Sequence, residues 1–133
     1  MTLEELNAHR SLVEDLNEAR DLLEALRSSA LRASYYDGMP RAAATIKDRT
    51  ESLAIRCAKL ESQIENLQKA VRESEGQVNA FISTIPDRRT ALVFQLRFVD
   101  GYEWQEVAVM IGGKNTENGV KSMCYRYLRS QAL

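Results

Sequence analysis

In the first thirty positions Leu12, Leu16, Ala19, Leu23, Leu26 and Ala30 follow one another in alternating steps of four and three. That is the spacing of a and d positions in a helical seam. The intervening positions are rich in Glu, Arg, Asp and Asn and contain neither Gly nor Pro, so helix propensity agrees with the pattern and predicts a first helix over residues 3–32. Ser34-Tyr35-Tyr36-Asp37-Gly38-Met39-Pro40 breaks it with turn chemistry, Asp-Gly followed closely by a proline suited to a new first turn, which predicts a connection over 33–40. The four-three spacing resumes at Ile46 and persists through Thr50, Leu53, Cys57, Leu60, Ile64, Leu67, Val71, Ser74, Val78, Phe81 and Ile85, predicting a second helix over 41–83. A helix of that length needs a partner along it. Folding back on the first helix gives a long antiparallel helical hairpin or coiled coil over 1–85, with the excess of the second helix left to pack on the C-terminal residues or on another chain. Ser74 and Gly76 weaken the seam, so a bend is expected there.

Ile85-Pro86-Asp87 ends the heptads, and proline followed by an acidic residue opens a new element, so a domain boundary is expected before a module over 86–133. Ala91, Leu92, Phe94, Leu96, Phe98 and Val99 predict a strongly apolar helix closed by Asp100-Gly101. A shorter helix over about 103–111 comes next, with Trp104, Val107, Ala108 and Ile111 on one face, which makes Trp104 a core residue. Gly112-Gly113-Lys114-Asn115 makes a tight turn, and Asn115 or Thr116 can cap a last helix over about 116–129, which turns Val120, Met123 and Tyr127 inward, joined by Cys124 and Leu128. The class is therefore all-α. Helix, short helix, glycine turn and helix is the spacing of a helix-turn-helix, whose last helix enters the major groove of DNA.

The side chains left outward suit that task. Asn118 can pair with an adenine edge, Lys121 can donate to guanine or phosphate, and Glu117 can accept from a cytosine amino group. Thr116, Ser122 and Tyr125 share the same exposed stretch. Lys114, Arg126, Arg129 and the Arg88-Arg89 pair suit phosphates, which position the module without reading sequence. Gly119 within this helix costs about 1 kcal/mol against Ala and is either tolerated or used for close approach.

Charge sharpens the picture slightly. The net charge is −1, yet residues 86–133 hold seven basic side chains against five acidic ones, so that third is +2 and residues 1–85 carry −3. A polyanionic partner is directed to the C-terminal third. With 133 residues and a 44% hydrophobic share the chain can bury a core. The chain holds no run of about 18 apolar residues, which argues against a membrane span, and its first residues lack a signal-peptide pattern; a cytoplasmic protein is expected. Cys57 and Cys124 are far apart and, with His9 the single histidine, supply no zinc set; both are expected as reduced core residues. His9 is expected at the surface. No cofactor, metal or catalytic constellation is indicated, so an enzyme is the least supported class.

The segments Asp87-Arg88, Arg97-Phe98-Val99-Asp100-Gly101-Tyr102-Glu103-Trp104-Gln105-Glu106-Val107-Ala108, Glu117, Val120-Lys121 and Arg126-Tyr127-Leu128-Arg129 resemble region 4 of the sigma-70 type sigma factors. The whole layout resembles the small phage and prophage regulators of the ArpU-like, sigma-like kind. The resemblance implies that Glu106-Val107-Ala108 abuts the phosphate backbone and that Glu117, Asn118, Lys121 and Ser122 fall where base-contacting residues lie. Gly112-Gly113-Lys114-Asn115 departs from the family's usual turn, and nothing matches the sigma region that reads the second promoter element. A DNA-binding transcriptional regulator of phage or prophage type is therefore the implied function, with double-stranded DNA as partner, RNA polymerase as a second candidate, and homo-oligomers formed through the helical half. Two alternatives stay open. One is a DNA-recognition subunit of phage packaging, similar to a small terminase; the other is a coiled-coil protein-interaction module that binds no DNA.

Overall fold

The computed structural model describes residues 1–35 and 43–131, with side chains described for 1–32 and 48–131. Every regular element among the described residues is helical: α1 (Leu3–Tyr35), α2 (Ala43–Ser83), α3 (Arg88–Phe94), a π-helical turn (Gln95–Val99), α4 (Trp104–Ile111) and α5 (Glu117–Gln131). None of these helices is long and apolar enough to cross a membrane. The first helix continues three residues into the segment expected as the connection, and the remainder of that connection, with Pro40, lies outside the described residues. The second runs without interruption through Ser74 and Gly76.

Two compact units divide the chain: Glu14–Ala70, and Met1–Val13 together with Val71–Leu133. In the first, the four-three spacing maps onto burial. Leu16, Ala19 and Leu23 of α1 and Ile64 of α2 are buried, with Leu26, Ala30, Leu53, Cys57, Leu60 and Leu67 half-buried. Thr50, at the end of the run, is exposed. Arg27 Nη2 donates to Glu61 Oε1 at 2.7 Å between the helices, an exposed pair that adds little beside the apolar seam.

The second unit differs from the domain read off the sequence. Pro86 does mark a break, since α2 ends at Ser83 and Asp87 caps α3 by accepting from the Thr90 amide and hydroxyl at 3.3 and 2.7 Å. The unit nevertheless recruits the start of α1 and the end of α2, because its own helices are too short to close a core. Leu6 and Val78 join Ile85, Val93, Phe94, Phe98, Trp104, Val107, Ala108, Val120 and Cys124 in one buried cluster. Within it Phe94 meets Phe81 edge-on at 5.6 Å and Phe98 meets Trp104 at 6.1 Å, geometries worth about 0.5–1.5 kcal/mol each beyond area burial. Trp104 is a core residue, as its spacing implied.

His9 is not at the surface. It is 1% exposed, and its Nδ1 shares a 2.7 Å hydrogen bond with Ser74 Oγ of α2. The physical reason is register: His9 lies three residues after Leu6 and seven before Leu16, on the face that packs, and a neutral imidazole can be buried there once Ser74 satisfies its nitrogen. With Met1–Leu3 beside Phe81 and His9 beside Ser74, the two helices run antiparallel in this unit.

Candidate nucleic-acid interface

Three helices and a turn position the candidate side chains. The apolar helix expected to reach Val99 changes to π geometry at Gln95, with the Asp100 amide donating to Gln95 O at 2.9 Å across five residues. The wider turn lets both Phe98 and Arg97 point inward. Arg97 is 9% exposed; its guanidinium stacks 4.6 Å from the Trp104 ring centre and donates to Tyr102 O at 3.1 Å and Glu103 Oε2 at 3.3 Å. Its charge is committed to the interior, so it belongs to the scaffold and not to a polyanion-facing surface.

The turn between α4 and α5 is built by glycine. Gly112 has φ 78° and ψ −176°, and Gly113 has φ 70°, conformations that a Cβ strains. Asn115 Nδ2 donates back to Gly112 O at 2.7 Å and locks the turn. Of the two capping candidates, Thr116 caps α5: its Oγ1 accepts from the Gly119 amide at 3.1 Å. The short turn sets α5 against α4, and Val120 and Cys124 are fully buried in the shared cluster, fixing which side of α5 faces inward.

On the other side, Asn118, Ser122, Tyr125 and Arg129 recur at helical intervals of four, three and four and form one face, flanked by Lys121 and Arg126. Asn118, Arg126 and Arg129 are exposed, while Lys121, Ser122 and Glu117 are half-buried. Ser122, Tyr125, Arg126 and Arg129 line a small depression of about 130 Å³. Tyr125 is also half-buried, with its ring edge-on to Trp104 at 6.4 Å, so it supports the helix as well as facing outward. Lys114 in the turn and Thr116 at the cap are exposed. Arg88 and Arg89, in the first turn of α3, are exposed too, and no hydrogen bond or ion pair links them to α5 among the described residues.

One contact set was not legible from the pattern. Arg10 of α1 donates to Glu103 Oε1 at 2.9 Å, so Glu103, just before α4, is held by Arg10 and Arg97 together. The hydrogen bond from Arg10, its charge, and the bond from Arg97 push the Glu103 carboxyl below its ordinary range. The beginning of the chain thus grips the beginning of α4. Extending the helical register back from Leu16 to Leu6 was the signal for it.

No protein-family model, no curated protein and no solved structure matches the chain.

Proposed function

We propose that the chain is a DNA-binding transcriptional regulator in which α4, the glycine turn and α5 act as a helix-turn-helix, with the first half of α5 reading base edges in the major groove. The observation that carries this reading is the sidedness of α5. Val120 and Cys124 anchor one side in the core, while Asn118, Lys121, Ser122, Arg126 and Arg129 gather donors and positive charge on the other. Asn118 and Lys121 sit near the start of α5, where a recognition helix meets bases, with Lys114, Arg126 and Arg129 as phosphate ligands. Arg88 and Arg89 serve as further phosphate ligands only where the duplex reaches α3. The resemblance to sigma-70 region 4 rests on the quoted residues alone and adds RNA polymerase as a second partner and a phage or prophage setting; a cytoplasmic location is part of that reading. Assembly through the helical half is supported by Leu22 and Ile55, which stay 51% and 58% exposed.

A second reading is favoured by α4, whose outer face exposes Val109 at 79% and Met110 at 49%, an apolar pair suited to a protein contact. Fluorescence anisotropy against labelled duplex DNA over a salt series separates the two. A DNA reader loses affinity steeply with salt, with a log–log slope of about 0.9 per phosphate contact, and weakens on Lys121→Ala and Asn118→Ala. No binding even at low salt sinks the DNA reading and leaves the protein-contact one.

A further inference from the structure

Beside the C-terminal half of α5 lies a groove of about 560 Å³, within the roughly 300–1,000 Å³ typical of small-molecule sites. Its walls come from Met1 and the first residue of α1 (Leu3), the end of α2 (Phe81) and α5 (Tyr125, Leu128, Arg129). The apolar wall residues are all half-buried, each presenting part of its surface to the groove. Arg129 is the single charged side chain among the lining residues; it is exposed and has no ion-pair partner among the described residues. The Tyr125 ring packs edge-on against Trp104 of the core. An apolar trough with one guanidinium at its margin matches a ligand with an apolar body and one anionic end, since the guanidinium pairs with carboxylate or sulfonate oxygens while the body displaces water from the walls.

We infer that this groove binds a small anionic amphiphile, an aromatic or aliphatic carboxylate or sulfonate, and that its occupancy withdraws the Arg129 guanidinium from the DNA-facing side of α5. The second half rests on the DNA reading proposed above; the first does not. Because Tyr125 and Arg129 belong both to the groove and to the outward face of α5, ligand and phosphate compete for the same guanidinium.

The test uses the full chain and two fluorescent probes of nearly equal shape, anilinonaphthalene sulfonate and the uncharged phenylnaphthylamine. The sulfonate is expected to saturate at one per chain, to weaken about tenfold on Arg129→Ala and to recover on Arg129→Lys, while the uncharged amine binds all three proteins alike. Leu128→Gln weakens both probes, and thermal melting of each variant shows that the fold persists. Equal sulfonate binding by Arg129→Ala overturns the anion site. Multiple sulfonates per chain with loss of cooperative melting also overturn it, since the probe then reports a loosened core. So does an absence of probe binding together with a self-association that Leu128→Gln breaks, because a second copy then fills the groove. A final anisotropy titration with duplex DNA separates the two halves. If DNA binds without probe and saturating sulfonate leaves its affinity unchanged, the regulatory half is overturned while the site stands. If DNA never binds, the DNA reading fails, and the probe titrations still decide the site.

Discussion

Arg10 and Glu103, 93 positions apart in sequence, meet at 2.9 Å and join the first helix to the start of α4. Glu103 is 67% exposed on its side chain, so screening and hydration make this contact a guide to alignment more than a source of stability. Leu6, one turn earlier on α1 and fully buried, does the holding. Arg10→Ala is therefore expected to shift the urea midpoint slightly, whereas Leu6→Ala costs about 2–5 kcal/mol through lost burial and a cavity. Trp104, the single tryptophan, reports from the middle of that core. A Leu6→Ala midpoint equal to wild type would show that the start of α1 is not part of this unit.

His9 gives the unit a pH dependence with a definite sign. Burial lowers its pKa below the ordinary 6.5, and the nearby Glu75 carboxylate only partly opposes this. The unfolded chain then binds the proton more readily than the folded one, so stability present at neutral pH falls as the pH drops through about 6.5 and levels off below the folded pKa. His9 is the only histidine, the side chain whose ordinary pKa falls between about pH 5 and 8. Urea unfolding at several pH values is expected to show this slope in the wild type and to lose it in His9→Leu. A slope that survives in His9→Leu would assign it to another group.

The uneven legibility of the chain has a physical cause. Leu16, Ala19, Leu23 and Ile64 were legible because a heptad seam is local arithmetic, and the buried trio Trp104, Val107 and Ala108 was legible for the same reason. The glycine turn and the break at Pro86 followed from backbone restrictions that single residues carry. Leu6 and His9 escaped because the histidine interrupts an apolar pattern that its geometry continues. In the sequence Arg97 stands only as one charge in the balance and one residue of the sigma-like segment; its burial depends on a π turn and an aromatic partner seven residues later, and charge counting registers neither. Which segments combine into a unit is decided by long-range packing, so the register of Leu6 and His9 marks a packed face on α1 without naming what packs on it. Helical spacing alone puts Asn118, Ser122, Tyr125 and Arg129 on one face of α5; that Ser122 and Tyr125 are half-buried there, Tyr125 against Trp104, depends on packing the spacing does not carry.

The two cysteines are expected to react differently. Burial pushes the Cys124 thiol up to about 12, the nearby Arg97 charge opposing this only weakly, so almost no thiolate is present near neutral pH. Cys57 is half-buried on the seam of the other unit. Treatment of the native protein with a thiol alkylator, followed by peptide mass spectrometry, should label Cys57 and spare Cys124 until denaturant is added. Equal labelling rates in the absence of denaturant would mean that the core around Val120 and Cys124 opens far more often than its packing implies.

Thr116 and Gly119 are coupled through one atom, and a double-mutant cycle should expose the coupling. Thr116 Oγ1 accepts from the Gly119 amide at 3.1 Å, and a Cβ placed on Gly119 would lie 3.2 Å from the same oxygen, closer than ordinary contact. Gly119→Ala alone gains about 1 kcal/mol of helix propensity but crowds the cap, so the net change is expected to be small. Thr116→Ala alone loses the cap, at about 1 kcal/mol. In the double variant the crowding is gone and the propensity gain remains, so Gly119→Ala is expected to stabilise the Thr116→Ala background by close to the full amount. Because neither residue contributes to the core, the same proteins can be tested against duplex DNA. Selective loss of DNA affinity on Gly119→Ala, with stability preserved, would show that glycine is kept there for close approach to the groove; unchanged affinity would show that it is kept for the cap.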